Sequence, residues 1–231
     1  MLSIIIPTYN EADQIVQTIS KIHAASNAQK IELIIVDGGS TDKTIDFANE
    51  CGAITLQSEH KGRATQMNKG ASIAKGQILY FLHADSIPPQ NFIAHILDAY
   101  KNGATSGCFR LLFDYKHWFL KAHSWCTRFD VNAVRFGDQS LFITTEVFKK
   151  SGGFREDLLM MEDQEIIHRI KKYGKFKVMN ACVTTSARKY LDNGIYRMQA
   201  IFYCIWFLYY VGYSQQKLLK LYKKFIRKHK L

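Results

Sequence analysis

Short, largely apolar runs alternate with amphipathic stretches through the first 85 residues. The runs are "LSIIIP", "IELIIVD", "AITLQS" and "QILYFLHAD". They are rich in β-branched and aromatic side chains and are punctuated by Pro7 and the Gly38–Gly39 pair, which predicts strands. Between the first two, "NEADQIVQTISKIHAA" sets Ile15, Ile19 and Ile22 on one helical face, with Asn10 as the expected cap. "TDKTIDFANECG" and "RATQMNKGASIAKG" predict two more helices, stopped at Gly52 and Gly76. Strands that are apolar throughout, rather than at alternate positions, are covered on both faces. That is the pattern of a parallel sheet between helical layers. The expected class is α/β, a mainly parallel central sheet flanked by helices.

The second half is less regular. "GATSGCFRLLFD" predicts an edge or antiparallel strand, and "HWFLKAHSWCTRF" a helix. "FGDQSLFITTEVFKKSGGF" reads as strand, turn, short helix and a Gly-Gly break. "MEDQEIIHRIKKYG" predicts a helix with Ile166, Ile167, Ile170 and Tyr173 on one side. There is no repeat and no low-complexity linker. The expected organisation is one domain over residues 1–190 and a helical C-terminal extension over 191–231.

Composition changes this picture at two points. The five cysteines are scattered and never form a CxxC pair, which excludes a disulfide framework or a cysteine zinc site and favours a reducing, cytoplasmic setting. "MLSIIIPTYNE" lacks the charged n-region of a signal peptide. The net charge is +11, but seven of the cations fall in residues 215–231, which hold no acid; without them the chain stands at +4. Basicity is thus a property of the tail. No basic platform interleaved with aromatics occurs in residues 1–190, which argues against nucleic acid.

The extension has two parts. Residues 200–213 carry no charge, yet they are fewer than the roughly 20 needed to span a bilayer. A core helix, an interfacial helix and a homodimer surface all remain open. "QKLLKLYKKFIRKHK" sets Leu218, Leu221, Tyr222 and Phe225 opposite Lys217, Lys220, Lys224 and Lys228. Such a helix either binds an anionic membrane surface or packs on its own domain. The first option would place the chain peripherally on the inner face of the plasma membrane.

In open α/β sheets ligands bind beyond the carboxyl ends of the strands. Asp37 and Asp85 both fall there, Asp85 at the tip of the most hydrophobic strand. A hard divalent cation can rest on one or two carboxylates when a diphosphate supplies the other oxygens; otherwise Asp85 caps the loop before Pro88–Pro89. His83 is either a ligand or a structural histidine. Asp37-Gly38-Gly39-Ser40-Thr41-Asp42 either meets a ligand or caps a helix through Ser40 or Thr41. Glu162-Asp163 opens a helix, where acids are stabilised by the macrodipole or offer a general base to a cleft. Lys61-Gly62-Arg63 anchors a phosphate or forms a solvated turn. Neither GxxxxGK[ST] nor a GxGxxG after the first strand is present.

Taken in order, "IIIPTYNE" (4–11), "VDGGSTD" (36–42), "GRATQMNKG" (62–70), "LHADS" (82–86), "GDQS" (137–140) and "MEDQEIIHRI" (161–170) resemble the family-two inverting glycosyltransferases of the GT-A fold. "TTSARKY" (184–190) and Met160-Met161-Glu162-Asp163 extend the resemblance to a subgroup known as selenodomain-associated or arsenosugar-type transferases. Tyr190 stands where that subgroup commonly has Trp.

The resemblance implies a metal-dependent transfer of sugar from a nucleoside-diphosphate sugar, most simply a UDP-sugar, to a hydroxyl of an acceptor it does not identify. Pro7, Tyr9, Glu11, Asp37 and Arg63 would line the nucleotide pocket, and Arg188 would reach the diphosphate. Asp85 would hold Mg2+ or Mn2+, with His83 in place of the family's first aspartate. Asp163 would be the catalytic base beside Glu162, and Gly137, Asp138 and Gln139 would border the acceptor. Two rivals are a nucleotidyltransferase, which usually carries a glycine-rich loop near its first strand, and a non-catalytic protein binding membrane or nucleic acid through the basic tail.

Overall fold

The computed structural model describes residues 1–135 and 137–226. In chain order the elements are β1 (Leu2–Thr8), α1 (Ala12–Ala25), β2 (Ile31–Asp37), α2 (Thr44–Glu50), β3 (Ile54–Gln57), α3 (Arg63–Ile73) and β4 (Ile78–Phe81). There follow β5 (Ser86–Ile87), α4 (Phe92–Lys101), β6 (Ala104–Phe113), α5 (Trp118–Cys126), β7 (Leu141–Thr144), α6 (Thr145–Ser151) and α7 (Glu162–Ile170). β8 (Lys175–Thr185), α8 (Arg188–Asn193), α9 (Ile195–Tyr210) and α10 (Gln215–Phe225) complete the described residues.

The strands form one sheet in the order β3-β2-β1-β4-β7-β6-β8-β5. The β3–β2–β1–β4 half is wholly parallel, as its continuous apolar runs require. β7 enters antiparallel between β4 and β6, β6 pairs parallel with β8, and β8 pairs antiparallel with β5. The sheet is therefore mixed rather than parallel throughout. β6 is not an edge strand, since β7 and β8 flank it.

Side chains on successive strand positions point to opposite faces, so β1 feeds two cores. Ile4 and Ile6 join Ile15, Ile19 and Ile22 of α1 and Phe92 and Ile96 of α4. Ile5 joins Met67 of α3, Val147 of α6 and Ile166 and Ile167 of α7 on the other face. α3 lies close to the sheet because Gly70 offers no Cβ; one there would meet Ile5 Cγ2 at 2.5 Å.

Three local expectations are corrected, two of caps and one of a helix face. Glu11, not Asn10, precedes α1; Asn10 is left-handed (φ 52°) and its side chain accepts the Thr41 N–H at 2.8 Å. α2 starts at Thr44, later than a Ser40 or Thr41 cap requires, and Asp42 Oδ1 accepts the Thr44 N–H at 3.0 Å. Tyr173 lies past the end of α7 and is exposed.

The C-terminal extension is part of the first core. Met198 and Ile205 of α9, Leu218 and Tyr222 of α10, and Ile226 are buried there, while Phe225 is exposed. The α10 lysines at 217, 220, 223 and 224 face out. Lys228, like Arg227 and Lys230, lies outside the described residues. Among the described residues, no helix is long and apolar enough to cross a membrane.

Candidate functional site

The antiparallel register of β4 against β7 builds the centre of the site. Phe81 faces Leu141. Continuing that register beyond the strands brings the residues after Phe81 up to those before Leu141, so His83 meets the Gly137–Ser140 turn. His83 Nδ1 hydrogen-bonds Asp138 Oδ1 at 3.0 Å, and Nε2 lies 3.9 Å from Asp163 Oδ2. Asp163 arrives from the other side, in the first turn of α7, after Met161 turns left-handed at φ 70°. Gly137 makes this approach possible. A Cβ there would clash with Asp163 Oδ2 and stand 3.0 Å from His83 Cε1.

Burial sets the electrostatics. It pushes the Glu162 carboxyl up to about 7, with the neighbouring Asp163 charge adding to the effect and Arg63, 3.8 Å away, opposing it. It raises Asp163 as well, against the pull of His83 and Arg63. For His83 burial works downward, but the hydrogen bond to Asp138 and the nearby carboxylates outweigh it and the imidazole holds its proton more tightly than usual. Asp138 is the reciprocal case: burial opposes its charge, yet the His83 contact holds it down at about 2. The centre is a charged His–Asp pair facing a carboxylate that keeps a proton to higher pH than an ordinary aspartate.

The other predicted residues divide by position. Asp37 ends β2, buried, and Oδ2 accepts the Gly39 and Ser40 N–H groups at 2.8 Å each, while Oδ1 takes the Ser40 hydroxyl. Its carboxylate therefore shapes the loop at the strand end. Pro7 is buried within β1. Tyr9 is partly exposed, with Lys61 Nζ 4.7 Å above its ring. Glu11 heads α1, 3.9 Å from the half-exposed Arg188. Arg63 starts α3 with its side chain partly exposed, and Glu162, Asp163 and Asp138 outweigh its partial desolvation and keep the guanidinium charged. Gln139 is not brought to the site; it is buried and donates to the Phe109 carbonyl at 3.1 Å.

A hard cation needs oxygen donors, and Asp85 is the one that suits it. It is half-buried, and its carboxylate makes no hydrogen bond or ion pair among the described residues. No group of three His, Cys, Asp or Glu lies close enough to hold an ion among those residues. His83 is already engaged by Asp138 and directed towards Asp163. The donor set thus fits a divalent ion that rests on Asp85 and takes its remaining oxygens from a bound diphosphate and water.

Two structural supports had weak signals in the sequence. Gln66 is buried in α3 and donates to the Thr8 and Val36 carbonyls at 2.9 and 2.7 Å, tying the ends of β1 and β2 together. A glutamine at an inward helix position was the available clue. Gln215 of α10 accepts the Leu159 and Met160 N–H groups at 3.0 Å each, just ahead of Glu162. No local pattern signals a contact across 55 residues.

This arrangement has relatives. The chain is 30% identical over 108 residues to a dolichol-phosphate mannosyltransferase of Pyrococcus furiosus, covering 45% of this chain and 31% of that one. It is 40% identical over 91 residues to a PGL/p-HBAD biosynthesis glycosyltransferase of Mycobacterium bovis, covering 37% and 35%. The chain thus spans about a third of the length of these curated relatives. Among solved structures, S. aureus TarS 1-349 superposes with a TM-score of 0.67 at 16% identity, over 87% of this chain and 64% of that one. The mannosyltransferase PcManGT of Pyrobaculum calidifontis gives 0.68 at 18%, over 88% and 61%. These likenesses show the GT-A-like fold, a curled mixed sheet flanked by helices. A family profile described as Glycosyl transferase family 2 matches residues 3–159, two-thirds of the sequence and ending just short of Glu162, and on that match the chain belongs to glycosyl transferase family 2.

Proposed function

We propose that this chain transfers a sugar from a nucleoside-diphosphate sugar, with a UDP-sugar first in line, to an acceptor hydroxyl, with inversion at the anomeric carbon. One observation carries the reading: Asp163 in the first turn of α7 facing the His83–Asp138 pair beyond the carboxyl end of β4. Structures of the same fold support it. PcManGT is held with GDP-Man and Mn2+, TarS 1-349 with UDP-GlcNAc, and glucosyl-3-phosphoglycerate synthase of Mycobacterium tuberculosis with UDP and Mn2+. The finer likeness to the selenodomain-associated or arsenosugar-type subgroup rests on residues 160–163 and 184–190 and forms part of the proposal.

In this reading Pro7, Tyr9, Glu11, Asp37 and Arg63 receive the nucleotide, and Arg188 turns to the diphosphate. Asp163 takes the acceptor hydroxyl proton on its carboxylate. The freed oxygen bonds the anomeric carbon as the bond from that carbon to the diphosphate breaks on the opposite side, and the electron pair leaves with the diphosphate. Asp138 keeps His83 charged and oriented beside Asp163, and with Gly137 it borders the acceptor. Glu162 and Arg63 fix the other flank of the base. Mg2+ or Mn2+ on Asp85, when bound, offsets charge developing on the leaving diphosphate.

A thermal-shift panel of UDP, GDP and TDP with and without Mn2+ tests the donor side; a ligand at 100 times its Kd adds about 2.7 kcal/mol. Asp85→Asn is expected to remove the Mn2+-dependent part of the shift. Asp163→Asn should leave that shift intact and lower turnover by about 10² or more. A folded Asp163→Asn protein with full activity rules out the assigned base. Nucleotide incorporation into an acceptor, with no sugar transfer, would favour a nucleotidyltransferase.

A further inference from the structure

Two helices carry apolar side chains on both sides. α5 buries Leu120, and α9 buries Met198 and Ile205. Their outer faces are aromatic. Trp118 and Trp125 of α5 are 68% and 53% exposed, and Phe129, just past the helix end, continues the row with its ring 5.2 Å from Trp125. On α9, Tyr203, Phe207 and Tyr210 are exposed at four- and three-residue spacing, which sets them in one stripe. The helices are neighbours: Trp118 and Phe119 meet the Tyr196 ring at 6.2 and 5.0 Å, and Tyr203 senses the Cys126 thiol. The two stripes therefore form one continuous patch, and exposed apolar patches of this kind mark interaction sites.

Charge selects the occupant. Residues 115–129 and 193–226 contain no aspartate or glutamate. Lys121 and Arg128 stand exposed beside the tryptophans, Arg128 4.5 Å above the Trp125 ring, and the α10 lysines lie within the second of these stretches and are exposed. A second copy presenting this face would set cations against cations, because a two-fold interface repeats the same patch on both sides. An anionic surface would neutralise them. Tryptophan and tyrosine beside lysine and arginine are the side chains suited to the lipid headgroup layer, where an apolar ring and a polar edge are both accommodated. At 16 residues, α9 is too short to span.

We propose that the α5–α9 face docks in the plane of an anionic phospholipid bilayer, with the aromatic stripes among the headgroups and the flanking cations on lipid phosphates. Membrane contact thus falls on this face, with the tail lysines in support. The docking stands apart from the transferase reading.

Full-length protein is mixed at low salt with phosphatidylcholine vesicles, with and without phosphatidylglycerol, and binding is read by sedimentation and tryptophan fluorescence. The expected result is binding only with phosphatidylglycerol, a blue shift, and release by salt. The conservative pair Trp118→Phe and Trp125→Phe should still bind while losing most of the shift, because only Trp206 remains. Trp125→Ser with Phe207→Ser, and separately Lys121→Ala with Arg128→Ala, should each weaken binding about tenfold or more. UDP thermal shifts, measured in parallel, report the nucleotide site separately. The proposal is overturned by absence of binding at low salt, by binding with no change in fluorescence, or by a lipid-free dimer that Trp125→Ser dissolves, which would give the face to a second copy.

Discussion

Gly137 lacks a side chain where Asp163 needs the space, and this makes it the most exacting single position of the site. Gly137→Ala is expected to fold, since the clash falls on the end of a side chain rather than on backbone. It should displace Asp163 and lower turnover by about 10² or more, as loss of a general base would, with UDP thermal shifts unchanged. Glu162 gives a second residue-level test. Its folded pKa is about 7 and its unfolded value near 4.5. Between these values the folded state holds the extra proton, so stability falls as pH rises from about 4.5 to 7 and the penalty is complete above that. Glu162→Gln removes the penalty. Its melting temperature should exceed the parent's at about pH 8 and match it near pH 4.5, a difference on the order of 3–4 kcal/mol at about 1.4 kcal/mol per pKa unit. The acids themselves were legible as motifs, in "HAD" and "MED". The His83–Asp138 contact was not, because 55 residues separate the partners and only the β4–β7 register brings them together.

The four strands of the N-terminal half were legible because each is a compact apolar run with clear punctuation. β8 was not: "KFKVMNACVTT" is half-exposed along most of its length and mixes lysines with apolar residues. β5 is two residues long, too short for any periodicity. The helix Phe92–Lys101 did carry a usable signal, with Phe92, Ile93, Ile96 and Ala99 at helical spacing. α10 was readable as amphipathic, but its role was not. Its sequence suits either a membrane surface or its own domain; Leu218 and Tyr222 are core residues, and Gln215 holds the two backbone N–H groups that precede the Glu162–Asp163 turn. Gln215→Ala should lower kcat about three- to tenfold, the worth of one to two lost hydrogen bonds, with little change in donor binding. Gln215→Glu, whose carboxylate still accepts, should restore most of it. Equal kcat for parent and Gln215→Ala would show that the turn before Glu162 holds without α10.

At the scale of the molecule, alternating strands and helices specified two helical layers around a sheet, and two cores are found on its two faces. The reversal at β7 lay beyond reach, since a four-residue strand reads the same in either direction. That reversal also bears on synthesis. β1 to β4 are complete by Phe81, but the partner that covers the far edge of β4 begins at Leu141. For the roughly 60 intervening residues, or about 3–12 s at ribosomal speeds of about 5–20 residues per second, a strand reading Ile-Leu-Tyr-Phe presents an open hydrogen-bonding edge. The nascent chain therefore passes through an interval in which this apolar strand can pair with a neighbour, and its yield depends on how quickly residues 141–144 arrive to cover it.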